Sequence, residues 1–130
     1  MNTAYIMLGS NSNADYNLTL AIGKLTAYFQ LIDQSSILVT EPIGAHYKLP
    51  FHNEALKILS TGSSDETKFI FKKIEKEMGR TPDSKLLGII PIDIDLIFWN
   101  NNLLHEDYNR LPFVKTCVDE LRQFENLKMK

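Results

Sequence analysis

The sequence predicts an α+β protein with a ferredoxin-like βαββαβ core, in which a four-stranded antiparallel sheet carries two helices on one face and is followed by a short C-terminal extension. Three observations predict this class: short apolar runs typical of strands, two longer stretches with helical spacing, and the order in which they alternate. Two right-handed crossovers would put both helices on the same face. The opposite face would then be free to carry a site, with the first and last core strands adjacent in the centre of the sheet.

The first half of the chain predicts a strand, a helix and a second strand. Residues 4–8 form a short apolar run ended by Gly9, which is typical of a buried strand. Apolar side chains recur at three- and four-residue spacing over residues 15–29 and predict an amphipathic helix. Residues 36–41 alternate between polar and apolar, which predicts the second strand.

The second half predicts a strand, a helix and a strand. Residues 52–59 resume an extended pattern after an irregular segment, and Ser63 begins a helix that runs through Met78. Residues 91–98 alternate cleanly and predict the last core strand. The connecting segments predict an irregular stretch at 44–50, a mobile loop at 81–88, a bend at 100–102 and a final helix over 114–127.

Length, composition and charge exclude several classes of protein. The chain has 130 residues, of which 44% are hydrophobic and 23% charged, so we expect one domain over residues 1–130 and a monomer. A formal net charge of −2 would not draw it to nucleic acid or to an acidic membrane. Cys117 is the only cysteine, no apolar run is long enough to span a bilayer, and the first residues do not resemble a signal peptide. We therefore expect a cytoplasmic protein.

The chemistry-bearing signal in the last strand is the pair Asp93 and Asp95. Positions two apart on a strand point to the same face, so both carboxylates project together while the flanking apolar residues face the core. Like charges on one face repel, and a cation would relieve that repulsion. Two carboxylates suit Mg²⁺, which completes its shell with water and substrate phosphates. A solvated outer face of the sheet is the alternative interpretation.

Other candidates are weaker when they are taken alone. Arg80 follows the second helix and could neutralise phosphate. Alternatively, its positive charge could simply interact favourably with the negative C-terminal end of the helix dipole. Phe51 and Asn53 could stack on a heterocycle and bind its polar edge, or could be an ordinary strand start. We expect His46 and His105 to lie in loops or at the surface. Neither the Rossmann nor the P-loop motif is present.

Five short motifs occur in order along the chain and together resemble 6-hydroxymethyl-7,8-dihydropterin pyrophosphokinases from the first strand to about Pro112. They are Tyr5-Ile6-Met7-Leu8-Gly9-Ser10-Asn11, Thr40-Glu41-Pro42-Ile43-Gly44, Phe51-His52-Asn53-Glu54-Ala55-Leu56, Glu75-Lys76-Glu77-Met78-Gly79-Arg80 and Asp93-Ile94-Asp95-Leu96-Ile97. The family has the ferredoxin-like core that the element order predicts independently.

The resemblance implies transfer of pyrophosphate from ATP to a reduced pterin, giving AMP. It implies that Asp93 and Asp95 hold two Mg²⁺ ions between the substrates, and that Arg80 is catalytic on a loop that closes. The pterin site implied by the resemblance comprises Thr40, Ile43, Phe51 and Asn53, and the nucleotide site includes Glu75 and Arg80. We expect replacement of Asn53 by Ala to weaken pterin binding with little change in thermal stability, and we expect the metal site to be weak until phosphates arrive.

The sequence also departs from the family pattern, as a divergent and C-terminally shortened member. Ile90 stands where the family has Arg, Leu87 where it has Trp, and Phe113 where it has His. The Arg-x-Phe stretch is unrecognisable in residues 116–120. Each lost cation could remove about 1.5–3 kcal/mol of hydrogen bonding to phosphate. Nearby cations are expected to substitute in nucleotide binding, namely Lys85, Arg110 or Lys115.

Three hypotheses therefore stand at this point. The first is a divergent pterin pyrophosphokinase. The second is a catalytically impaired family member that binds pterin or nucleotide, which the residues Ile90 and Phe113 favour. The third is a ferredoxin-like interaction module whose carboxylates face solvent, which the presence of Asp93, Asp95 and Asn53 disfavours.

Overall fold

The computed structural model describes residues 1–45 and 47–128, with side chains through Arg122, so His46 lies outside the described residues. Six strands occur in that part of the chain: β1 (Asn2–Ser10), β2 (Gln30–Gln34), β3 (Leu38–Thr40), β4 (Phe51–Ser60), β5 (Asp93–Trp99) and β6 (Asn102–Leu103). Five helices occur with them: α1 (Ala14–Leu25), α2 (Ser64–Glu77), α3 (Ser84–Leu87), α4 (Asp107–Arg110) and α5 (Pro112–Lys128).

The strands form one antiparallel sheet in the order β2-β4-β1-β5-β6, and β3 also pairs with β4. β1 is the middle strand of this order and pairs with β4 on one side and β5 on the other, so the first and last core strands, β1 and β5, are adjacent at the centre of the sheet as predicted. β1 and β4 are the longest strands, and they pair from Asn2 opposite Ser60 to Ser10 opposite His52.

The prediction of four strands was wrong, because the sheet has six. The helical pattern over residues 15–29 suggested one long helix, whereas α1 ends at Leu25 and a turn leads into β2. Phe29 keeps its place in the core after that turn. The sequence of β2 is too polar to predict a strand, and main-chain pairing with β4 from Gln30 opposite Leu59 holds it at the edge.

Helices cover both faces of the sheet, which corrects the prediction that one face is free. The first core lies between the sheet and helices α1 and α2, and includes Ile6, Leu8, Leu56, Phe71 and Ile74. The second core lies on the other face, where α5 places Val114, Cys117, Val118 and Leu121 against Tyr5, Met7, Ala55, Ile97 and Phe98. Apolar residues at three- and four-residue spacing give α5 a face that must be buried. The end of this face near Asp93 opens into a cavity.

The predicted N-cap of α2 is confirmed. Ser63 caps α2 in a capping box: its hydroxyl accepts from the Glu66 main-chain N–H at 3.1 Å, and its own N–H donates to the Glu66 carboxylate at 3.0 Å. The loop at 81–88 contains the one-turn helix α3, which the sequence pattern does not predict. None of the helices in the described part of the chain combines the length and apolar character needed to cross a membrane.

Candidate functional site

A cavity of about 160 Å³ opens on the α5 face, between the ends of the central strands, the segment after β3, and helices α4 and α5. Six residues predicted for substrate or metal binding line it together: Thr40, Ile43, Phe51, Asn53, Asp93 and Asp95. They come from three separate segments of the chain, residues 40–43, 51–53 and 93–95. The sheet brings them together because β1 lies between β4, which carries Asn53, and β5, which carries the aspartates.

Asn53 lies on the inner wall of this cavity, and its side chain also bonds to β3 at the rim. It is 3% exposed, and its side-chain Nδ2 donates to the Leu38 carbonyl at 2.9 Å and to Thr40 Oγ1 at 3.0 Å. A weaker bond of 3.3 Å reaches the Phe51 carbonyl. Because these bonds tie β3 to β4, we now expect loss of this amide to lower stability, in contrast to the expectation from sequence.

Two aromatic rings stand beside Asn53. Tyr47 meets Phe51 edge to face, with ring centroids 5.4 Å apart, and both rings line the cavity. Tyr47 was not predicted from sequence, because it lies in an irregular segment that carries no motif. A wall of two aromatic rings beside one side-chain amide suits a planar heterocycle with polar edges.

The aspartates project as the strand pattern predicts. Asp93 and Asp95 line the cavity, while Ile92, Ile94 and Leu96 point the other way into the core under α1 and α2. Both carboxylates are partly buried. The carboxylates therefore share one face, beside the cavity that opens next to α5.

Glu75 and Arg80 support the aspartates from behind. Arg80 Nη1 donates to Asp93 Oδ1 at 2.6 Å and to Glu75 Oε2 at 3.1 Å. The same Glu75 oxygen accepts from the Ile94 main-chain N–H at 2.8 Å, and Lys72 Nζ donates to the other carboxylate oxygen at 3.1 Å. Glu75 is 4% exposed, so this network fixes the start of β5. The predicted role of Arg80 in loop closure stays a prediction.

The two aspartates differ in acidity because their partners differ. Burial acts to raise the pKa of Asp93, but hydrogen bonds from Asp95 and Arg80 together with the Arg80 charge outweigh it, and the pKa lies below its ordinary value. Burial, followed by the negative charge of Asp93, raises the pKa of Asp95 to about 8. Asp95 therefore keeps a proton near neutral pH unless a cation is present.

A second cavity of about 130 Å³ lies on the far side of Asp95, at the edge of β5 beside α2. Lys68 and Lys72 stand one helical turn apart along it, and Phe71 and Leu96 form an apolar wall. Asp95 lines both this cavity and the larger one. Asp95 thus stands between an aromatic pocket and a pocket that carries two lysines.

His105 and Asp107 are site residues that sequence reasoning missed. His105 lies in a loop as predicted, but it faces Asp95 across the smaller cavity, and Asp107 lines the larger one. One donor atom from each of Asp95, His105 and Asp107 lies within 4.8 Å of the other two. The sequence signal was the spacing of His105 and Asp107 after the last strand, which is too short a pattern to stand out.

The cations proposed as substitutes lie away from the cavity linings. Lys85 is exposed on α3 and Lys115 on α5. Arg110 binds Asp107 Oδ1 through Nε at 3.1 Å and Nη2 at 2.7 Å. Their part in nucleotide binding stays a prediction, whereas Lys68 and Lys72 line the same cavity as Asp95.

The departures from the family pattern have structural counterparts. Ile90 is buried, and its main chain is held by Asn11, whose side chain also bonds the Gly88 carbonyl at 2.9 Å. Leu87 is 69% exposed, and Phe113 lines the larger cavity. In the altered stretch, Asp119 accepts a hydrogen bond from Tyr108. Ile90 and Asp119 therefore serve packing and internal hydrogen bonding, whereas Leu87 faces solvent.

Replacing Arg80 by Ala is expected to lower the free energy of unfolding by about 2 kcal/mol, because it leaves Glu75 and Asp93 without their shared cation. The loss should shrink as the pH falls through the depressed pKa of Asp93, since a protonated Asp93 no longer needs the charge. Urea unfolding at neutral and acidic pH measures both effects.

The matched control for this variant is Lys24→Ala, which removes an exposed ion pair with Glu77. Such exposed pairs contribute about 0–1 kcal/mol. If Arg80→Ala costs no more than Lys24→Ala, then Arg80 does not hold the start of β5.

Residues 5–123 match the family described as 7,8-dihydro-6-hydroxymethylpterin-pyrophosphokinase (HPPK). The chain is 31% identical over 132 residues to the folate synthesis bifunctional protein of Arabidopsis thaliana. It is 30% identical over 114 residues to the 2-amino-4-hydroxy-6-hydroxymethyldihydropteridine pyrophosphokinase of Bacillus subtilis, and 31% identical over 115 residues to that of Porphyromonas gingivalis. The matches cover 94%, 85% and 85% of this chain, and 27%, 68% and 74% of the respective relatives.

A crystal structure of Plasmodium falciparum HPPK-DHPS shares the fold, with a TM-score of 0.57 at 16% sequence identity. The alignment covers 92% of this chain and 35% of the other. The chain therefore spans about a third or less of the length of the Plasmodium and Arabidopsis proteins.

Proposed function

The chain belongs to the 7,8-dihydro-6-hydroxymethylpterin-pyrophosphokinase family, and from that premise we propose that it transfers pyrophosphate from ATP to the hydroxymethyl group of a reduced pterin in folate biosynthesis. The observation that carries the proposal is the place of Asp95, which lines both cavities. A reaction between two bound substrates needs such a boundary, with charge-neutralising groups where the reacting atoms meet.

The larger cavity is the proposed pterin site. Phe51 and Tyr47 would stack on or flank the rings, and Asn53 and Thr40 would bind the polar edge. Ile43, on the rim, would cover the outer side. With the heterocycle against Asn53, its hydroxymethyl group would point along the cavity toward the aspartates.

The smaller cavity is the proposed nucleotide site. Lys68 and Lys72 would neutralise phosphate oxygens, and the exposed side chain of Leu104 would contact part of the base or sugar. This assignment makes the expectation that other cations replace the lost Arg residues more specific, because it names Lys68 and Lys72 for that role. Glu75 would act indirectly, because its carboxylate already accepts bonds from Lys72, Arg80 and Ile94.

The aspartate pair fits a divalent cation. The two carboxylates share one face beside open space, and the raised pKa of Asp95 reflects burial and repulsion that a cation would relieve. Asp93 and Asp95 would hold Mg²⁺, with two ions expected when ATP is present. Bound Mg²⁺ supplies neutralisation of phosphate charge and activation of the attacking hydroxyl. Arg80 keeps Asp93 ionised and oriented for that task.

The proposed reaction is balanced without a further reagent. The pterin hydroxyl oxygen bonds to the β-phosphorus of ATP, the bond from that phosphorus to the α,β-bridging oxygen breaks, and AMP leaves with that oxygen. The hydroxyl proton is released. The contribution of the protein is to position both substrates and to stabilise the charge that develops between them.

A catalytically impaired member is the second candidate. Buried Ile90 cannot reach a phosphate, and Asp119 is engaged with Tyr108 in the stretch that is altered relative to the family. Such a protein would bind the two ligands without transferring pyrophosphate. The occurrence of two pockets on either side of the aspartates disfavours the third hypothesis, an interaction module.

Calorimetry and an assay of AMP formation together test the proposal. The protein is titrated with a non-hydrolysable ATP analogue and Mg²⁺, with and without pterin, and is then supplied with ATP and the reduced pterin. AMP formed together with a pterin diphosphate supports the transferase. Ligand binding without AMP formation would support the impaired member. Neither ligand binding nor AMP formation would support the interaction module. The expectation that the protein is monomeric can be tested by light scattering of the same sample.

A further inference from the structure

The Asp95 carboxylate faces a second set of donor atoms in addition to Asp93. His105 and Asp107 come from the segment between β6 and α4, which folds back over the edge of β5. His105 Nε2 lies 3.8 Å from Asp95 Oδ1, and its Nδ1 lies 3.6 Å from Asp107 Oδ2. Both distances are too long for hydrogen bonds. The Nε2–Asp95 distance is within the limit of about 4.4 Å for two ligands of one ion that are each about 2.0–2.2 Å from the metal. One donor atom from each of Asp95, His105 and Asp107 lies within 4.8 Å of the other two, so small side-chain shifts would bring the third ligand into range.

We propose that Asp95, His105 and Asp107 form a site for a divalent transition-metal ion that fills in the absence of nucleotide. The three donors lie where the two cavities meet, since Asp95 and Asp107 line the larger and Asp95 and His105 the smaller. An ion there has access from solvent on both sides. The site shares Asp95 with the proposed reaction but does not depend on that reaction.

The surroundings orient each donor. Arg110 holds Asp107 Oδ1 through two bonds, which leaves Oδ2 toward the imidazole. The main-chain N–H of Asp107 donates to His105 Nδ1 at 3.1 Å, which turns Nε2 toward Asp95. Ligation through Nε2 would place the ring proton on Nδ1, where solvent can accept it because the His105 side chain is 30% exposed, and Asp107 Oδ2 remains the third ligand. The Asp107 N–H that is released lies at the start of α4, where it has no intrahelical acceptor.

The donor set decides which ions the site prefers. Two carboxylates with one imidazole suit Zn²⁺, Co²⁺ or Mn²⁺, whereas Mg²⁺ favours oxygen ligands and phosphates. The expectation drawn from sequence was a site that stays weak until nucleotide arrives, because no other ligands are near in sequence. The fold supplies those ligands from ten and twelve positions further along the chain. The inferred site therefore binds Zn²⁺ more tightly than it binds Mg²⁺.

Calorimetric titration of the nucleotide-free protein with Zn²⁺ and separately with Mg²⁺ tests the inference. We expect Zn²⁺ to bind at least about a hundredfold more tightly than Mg²⁺. His105→Asn should lower the Zn²⁺ affinity by at least about tenfold and leave the Mg²⁺ affinity unchanged. Asn can still accept the Asp107 N–H at the start of α4, so the melting temperature without metal should match that of the wild type.

The control is His52→Asn, which alters an imidazole that pairs with Asp15 at 2.9 Å outside the site and should leave the Zn²⁺ affinity unchanged. If His105→Asn does not fold, Asp107→Asn decides, with the same tenfold loss expected. Equal Zn²⁺ affinity in the wild type and in the folded variant overturns the inference. Zn²⁺ affinity that depends on His105, in a protein that forms no AMP, would overturn the proposed function and leave the metal site standing.

Discussion

Replacing Asp95 by Asn is expected to abolish metal-dependent binding of an ATP analogue and to lower pyrophosphate transfer by about 10²–10³-fold. Asn keeps the size of the side chain but loses the negative charge that a cation between the two cavities needs. Titration of the wild type and the variant with the analogue, in Mg²⁺ and in EDTA, measures the effect. Equal binding in all four conditions would show that the aspartate pair is merely a solvated strand face.

The same variant should be as stable as the wild type or more stable without metal. The pKa of Asp95 is raised to about 8 in the folded protein from an ordinary value near 4, so the folded state holds a proton that the unfolded state has released. The contribution of Asp95 to the stability of the wild type therefore falls as the pH rises from about 4 to about 8. Asp95→Asn should remove that decline and gain about 1 kcal/mol at pH 8 from the lost repulsion.

A matched control separates the site from general charge effects. Asp33→Asn changes a carboxylate on the edge strand β2 and leaves both cavities untouched. It should alter neither nucleotide binding nor the pH dependence of unfolding. A decline in stability toward pH 8 that persists in Asp95→Asn would show that another group causes it.

Replacing Asn53 by Ala is expected to weaken pterin binding by about 10–100-fold and to lower the free energy of unfolding by about 1–3 kcal/mol. The two losses have different causes. Affinity falls because the polar edge of the heterocycle loses its partner. Stability falls because the bonds from Nδ2 to the Leu38 carbonyl and to Thr40 disappear from a buried site.

Gly9→Ala separates these two effects. A Cβ on Gly9 would stand 3.4 Å from Asn53 Oδ1 and 3.9 Å from Phe51 Cδ1, which are ordinary contacts, but it would occupy the floor of the cavity. Pterin affinity should fall by at least about tenfold while the free energy of unfolding changes by less than about 1 kcal/mol.

Asn17→Ala supplies the converse control, since it removes an amide hydrogen bond to the Ser12 carbonyl away from the cavity. Its stability should fall while pterin affinity is retained. Calorimetry with the reduced pterin and urea unfolding of the three variants measure these outcomes. Unchanged affinity in both Asn53→Ala and Gly9→Ala would exclude the cavity as the pterin site.

Local sequence patterns were sufficient to predict those elements whose periodicity is visible within a few neighbouring residues. The alternation over residues 91–98 predicted that Asp93 and Asp95 share a face opposite three apolar neighbours, which the structure confirms. The N-cap at Ser63 and the end of α2 followed from residue types alone. Asn53 and Phe51 were singled out because their motif occurs in register with others, and β4 places both on the cavity wall.

Predictions failed where an element depends on a partner that is distant in sequence. The polar strand β2 exists because β4 offers it main-chain bonds, and no pattern within residues 30–34 shows that. Helix α5 was predicted, but its place on the second face depends on the apolar side chains of β1, β4 and β5 that it covers. Sequence periodicity indicates that a face must be buried, and does not indicate against what.

The sequence by itself determined the aspartate strand, the two helices under the sheet, and the family to which the chain belongs. Only the tertiary structure decided that Arg80 turns back onto Asp93, that Asp95 stands between two cavities, and that His105 and Asp107 approach it. The physical reason is the range of the forces involved. Helix and strand preferences act over a few neighbouring residues, whereas a site is formed by side chains that packing brings together from separate elements.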